Sequence, residues 1–109
     1  MPLALNVFQT VTAVVSTSPT IIYTAPVGYT GVILLAQVAN IGTNSEDITF
    51  VHRRSSTDTR LLKQFPISAN DTANLLAGKL VLESGDKLVI SGSNDTNLEF
   101  LASILETLN

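Results

Sequence analysis

With 109 residues the chain has room for one domain, spanning residues 1–109, and for one core. Six basic and nine acidic residues leave a formal charge of −3, without the cationic excess that phosphate neutralisation needs, which argues against nucleic-acid binding. Cysteine is absent, which removes disulfides, thiolate nucleophiles and zinc–thiolate sites together.

The first ten residues, MPLALNVFQT, have neither a positive n-region nor an adequate apolar h-region. No apolar stretch approaches the roughly 20 residues of a membrane-spanning helix. The expectation is a protein made and assembled without export and away from membranes. Residues 6–15, NVFQTVTAVV, are mostly β-branched or aromatic and predict a first strand closed by a turn at residues 16–19. Residues 20–25, TIIYTA, predict a second, and Pro26, Gly28 and Gly31 punctuate the turn that follows, with Tyr29 read as a ring covering the end of the fold.

Residues 30–41, TGVILLAQVANI, are the longest nearly uninterrupted apolar run, and turn residues bracket them. As a regular strand the run places Val32, Leu34, Ala36 and Val38 on one face and Ile33, Leu35, Ala39 and Ile41 on the other. Both faces are apolar, which predicts cover on both sides. A buried helix is the competing reading; β-branched content, short length and the flanking Gly31 and Gly42 favour a strand.

Residues 47–54, DITFVHRR, predict a strand with Ile48, Phe50 and His52 inward, a hairpin tip at residues 55–58, and a return through residues 59–65. Arg53, Arg54, Arg60 and Lys63 make this hairpin the most cationic part of an acidic chain, a candidate contact for an acidic patch on a partner. Residues 70–78, NDTANLLAG, read either as a short capped helical turn or as an irregular crossover between sheets. Residues 79–83 and 87–91, KLVLE and KLVIS around Ser84, Gly85 and Asp86, predict a hairpin with Leu80, Leu82, Leu88 and Ile90 on one face and Val81 and Val89 on the other. The last segment, residues 97–108, fits either period. The strand reading is taken, with Leu98, Phe100, Ala102 and Ile104 alternating. The sum is an all-β chain, a two-sheet antiparallel β-sandwich of jelly-roll type with roughly seven to nine strands.

Little in the sequence points to chemistry. His52 is the only histidine and has no cysteine or second imidazole with which to build a metal site or a nucleophile–base pair. Neither N-D-T motif, at residues 70–72 or 94–96, has the dense oxygen spacing of a calcium loop. No glycine-rich phosphate cradle is present, and tryptophan is absent. The expectation is a non-enzymatic protein without cofactor or metal. The informative anomaly is the second apolar face, because Ile33, Leu35, Val81, Val89, Leu101 and Leu105 cannot all turn inward if their neighbours already fill the core. Only 14% of the residues are charged, against roughly 25% in ordinary soluble domains, which also predicts that companion subunits cover part of the surface. These six residues are the candidate subunit or partner interface. The competing reading is that residues 70–78 or the N-terminal arm cover that face within one subunit.

The residues YTAPVG at 23–28, VILLAQVAN at 32–40, GKLVLESGDKL at 78–88 and the closing Ile104, Leu105 and Glu106 resemble small virion structural proteins of tailed bacteriophages, including marine and cyanobacterial phages. That resemblance implies a β-sandwich or jelly-roll subunit of the particle, a capsid decoration or cement protein that bridges major capsid subunits, with a homotrimer favoured, in a virion assembled in the host cytoplasm. The alternative it leaves is a tail, neck or baseplate adaptor or a receptor-binding module, with the loops at residues 28–30, 55–58 and 92–96 gathered at one end to do the recognising.

Overall fold

The computed structural model describes residues 5–109. The expectations about a leader and a covering N-terminal arm fall partly on residues 1–4, outside those described. Nine strands follow in order: β1 Asn6–Val14, β2 Thr20–Thr24, β3 Tyr29–Asn40, β4 Glu46–Arg54, β5 Thr57–Ile67, β6 Thr72–Asn74, β7 Leu80–Leu82, β8 Lys87–Gly92 and β9 Leu98–Leu108. The first sheet has the order β1-β9-β3-β6, with β7 also pairing β3, and the second has the order β2-β8-β4-β5. All pairings are antiparallel. Early strands pair with late ones, β1 with β9 and β2 with β8, while β6 and β7 divide one side of β3 between them.

Each strand contributes alternate side chains to one shared core. From β9, Leu98, Phe100, Ala102 and Ile104 point inward as the alternating pattern predicts, and from β4 so do Ile48 and Phe50. Phe50 of the second sheet meets Phe100 of the first with ring centroids 5.9 Å apart, a tilted contact that joins the two layers. The last segment is thus a strand and not a helix. Residues 55–56 form the tip of the β4–β5 hairpin, and Tyr29, expected within a turn, opens β3.

Three local expectations change. In β3 the register slips between Ile33, opposite Ile104, and Leu35, opposite Ser103, so Leu34 is an extra residue with no counterpart on β9. The bulge reverses the phase of the strand. Gly31 and Ile33 face the core before it and Ala36, Val38 and Asn40 after it, while both Leu34 and Leu35 face out. The candidate helical turn near residue 72 is instead the short strand β6 on the edge of β3. The expected hairpin between residues 79–83 and 87–91 does not form, because β7 pairs with β3 in the first sheet whereas β8 pairs with β2 and β4 in the second. Leu82 and Leu88 still meet the same core, from opposite layers. A turn that arches between sheets and a turn that joins paired strands give the same alternating pattern.

That arch is closed by the Asp86 N–H donating to the Glu83 carbonyl at 2.9 Å, with Gly85 at φ +87°, the left-handed position a type II turn requires. Gly85→Ala should therefore cost about 1 kcal/mol. Gly78→Ala, at a glycine with open space around it and no positive φ, should stay within about 0.5 kcal/mol. Urea unfolding midpoints of the two variants check this.

Candidate functional site

The outer faces of the two sheets differ in kind. Directly opposed residues in antiparallel strands share a face, so the register maps each face row by row. On the first sheet one row runs Phe8, Leu105, Val32, Val81, and the next places Thr10 and Ser103 beside Leu35. A third row runs Thr12, Leu101, Gln37, Asn74, and a fourth Val14, Glu99, Ala39, Thr72. Across these rows the single charged residue is Glu99. Phe8 at the rim is 73% exposed and Val81 at the opposite rim 56%, whereas Leu105 and Val32 between them are half-buried. Two shallow depressions mark this face, one of about 420 Å³ beside Thr12, Gln37 and Leu101 and one of about 230 Å³ beside Phe8, Thr10 and Leu34.

The second sheet faces outward with ordinary surface chemistry. Its rows include Thr24, Lys87, Arg53, Asp58 and Ile21, Val89, Val51, Arg60. Of the six residues expected on one apolar interface, the structure brings Leu35, Val81, Leu101 and Leu105 together on the first sheet. Ile33 is wholly buried in the core, because the bulge after it turns the strand over. Val89 lies on the other sheet and is only 3% exposed, between Ile21 and Val51 on a central strand. The pattern missed Phe8, Val32 and Leu34. Phe8 and Val14 were legible as the outward half of β1, had the first strand been read for two faces.

The basic hairpin does not form a free cationic patch. Arg53 donates to both carboxylate oxygens of Asp58, at 2.7 and 3.1 Å, and Arg60 lies near enough to help hold the Asp58 carboxyl below its ordinary range. Arg54 reaches into the arch instead, donating through Nε and Nη2 to Asp86 at 2.9 and 2.7 Å, with Glu83 Oε2 3.2 Å away. Asp86, 2% exposed, also accepts from the Glu83 N–H and lies 3.0 Å from His52 Nε2. Its backbone carbonyl takes the Ala25 N–H, so this one residue ties β4, the β2–β3 turn and the arch together. Only Lys63, exposed on β5, stands apart from these clusters. His52 is thus part of a structural cluster at the end of the sandwich.

A second polar group lies inside the layers, where Gln9 and Tyr23 both donate to Glu106 Oε2. Gly31 sits opposite Glu106, and a β-carbon there would stand 3.1 Å from the Tyr23 hydroxyl. Burial, and then the Glu106 carboxylate, push the Tyr23 hydroxyl well above its ordinary range, so it stays a neutral donor. Among the described residues every buried side-chain nitrogen and oxygen has a hydrogen-bond partner.

The three loops expected to gather as a recognition surface do not all meet. Residues 28 and 55–58 lie at the arch end, where the Gly28 N–H donates to Ser84 Oγ. Residues 92–96 lie at the other end of β8, where the Thr17 N–H donates to Asp95 Oδ1 and the Ile41 N–H to the Asn97 carbonyl. A six-residue strand separates the two ends by about 20 Å.

No protein-family model matches the sequence, and no curated protein matches it. In fold the chain is similar to a chain of the acid-stable capsid structure of Helicobacter pylori bacteriophage KHP30, with a TM-score of 0.60 and 11% identity over 96% of this chain and 89% of that one. It is similar also to a chain of the Bacillus endospore appendages, a family of disulfide-linked pili, with a TM-score of 0.57 and 15% identity over 95% and 88%. At these identities the fold is what is shared. This chain has no cysteine with which to make such links.

The Asp86 cluster sets a pH dependence. Arg54's hydrogen bonds, opposed by burial and helped by the Glu83 N–H and His52, hold the Asp86 carboxyl far below the usual carboxylate range. A depressed folded-state value means that its stabilisation is complete above about pH 5 and drains away as pH falls below the unfolded value near 3.9. Asp86→Asn should cost about 2 kcal/mol at pH 7 and should lose less additional stability than the parent between pH 5 and pH 3. Guanidinium titrations across that range measure both.

Proposed function

We propose that the chain is a non-enzymatic structural protein of a virion, a capsid decoration or cement subunit that self-associates and bridges major capsid subunits, with a homotrimer as the favoured assembly. The observation that carries the reading is the outer face of the first sheet, whose rows hold apolar, hydroxyl and amide side chains and a single charge, Glu99. Water penalises such a face, and a second protein surface relieves it. The charged outer face of the second sheet is the side such a subunit would leave to solvent. Support comes also from the shared fold, which serves in a phage capsid and in a pilus, and from the sequence resemblance to phage virion proteins. We read the nested strand pairing as a jelly-roll winding, which leaves a broad sheet face available for contact.

Covering a few hundred Å² of this face contributes several kcal/mol at about 25 cal/mol per Å², and many weak contacts on one particle reinforce each other. Val81→Lys and Leu35→Lys should each weaken self-association about tenfold while leaving the thermal midpoint of the isolated subunit within a few degrees. Light scattering over a concentration series reads the first, and antibody labelling of intact particles reads the location. A parent protein that stays strictly monomeric at high concentration and labels no particle would sink the proposal.

A further inference from the structure

A sheet edge with unpaired N–H and C=O groups invites another strand, and natural edges are commonly blunted by charge, proline, bulges or brevity. Of the edges among the described residues, three are blunted. On β5, Pro66, the positive φ of Gln64, two register slips against β4 and the charges of Arg60 and Lys63 break the line. β2 has five residues and a slip after Ile21. β6 and β7 are three-residue fragments. β1 has none of these defences: NVFQTVTAV holds nine residues in unbroken register with β9, without charge, proline or glycine, and pairs on one side only.

We infer that the free edge of β1 pairs with β1 of a second copy, antiparallel about a two-fold axis near Thr10, so that the first sheet continues from one copy into the next. The occupant follows from the edges themselves. A nine-residue regular edge is matched in length and regularity by β1 alone, and identical patches meeting each other form a closed two-fold contact. Self-pairing also sets no like charges together, as the strand carries none. The pairing is continuous with the apolar face, since Phe8 and Val14, both exposed, then sit in the middle of a doubled sheet. This contact goes beyond the face-packing reading and can fail without it. Being two-fold, it links one oligomer to another and does not close a ring of three.

The chain's lack of cysteine makes the test direct. Directly opposed residues in an antiparallel pair have α-carbons about 5 Å apart, within the range a disulfide spans. Thr10→Cys, on the exposed side of β1, should form a disulfide-linked homodimer under mild oxidation at least tenfold faster than Ser56→Cys on the hairpin tip. Thr12→Cys alone should fall well below Thr10→Cys, and pairing Phe8→Cys with Thr12→Cys should restore the link. Hydrogen exchange supplies a second readout: alternate β1 amides, open in dilute monomer, should slow at least tenfold at concentrations where dimer forms. A cross-linking rate within β1 no higher than that at Ser56, with no concentration-dependent protection of β1 amides, would overturn the inference. Loss of face association in Val81→Lys with β1 cross-linking intact would leave it standing.

Discussion

Everything in this molecule depends on what its two sheets hide between them, and the contact of Phe50 with Phe100 marks the centre of that interior. A strand has two faces, and a sandwich can bury one face of each sheet. The remaining two faces must suit water or find other cover. Here they diverge: the second sheet carries Arg53, Asp58, Lys87 and Arg60 outward, while the first carries Phe8, Leu35, Val81 and Leu105. A molecule built this way has a charged side and an apolar side.

The bulge at Leu34 decides which side chains of β3 that side carries. Without it, Ala36 and Val38 would face out, and Leu35 and the polar Gln37 would face in. With it, two leucines in succession face out beside Ser103, and the core receives the smaller Ala36. One inserted residue thus exchanges Leu35 and Gln37 for Ala36 and Val38 on the inward side of β3.

The polar groups of the interior do another task. Asp86 with Arg54 and His52 fastens the arch end, and Glu106 with Tyr23 and Gln9 spans the layers nearby. Each buried polar atom spends its hydrogen bonds on its own chain, and none is left aimed at a vacant site among the described residues. Breaking such a cluster from one side leaves a buried partner unsatisfied, which makes it a fastener that resists slippage between the sheets.

Local periodicity was enough to establish an all-β chain in two sheets, the inward sides of β4 and β9, and the existence of a surplus apolar face. Those properties depend on alternation within a few residues, which the sequence carries directly. The full membership of that face was not legible: Leu35, Val81, Leu101 and Leu105 were named, but the bulge keeps Ile33 in the core and Val89 belongs to the other layer, although β7 and β8 look like a hairpin. Arg54 reads as a surface cation until the arch brings Asp86 beneath it. Which apolar residues go out and which charges find partners were settled by long-range pairing, since a strand's pattern states only that two faces exist and the register with distant strands assigns each face its neighbour.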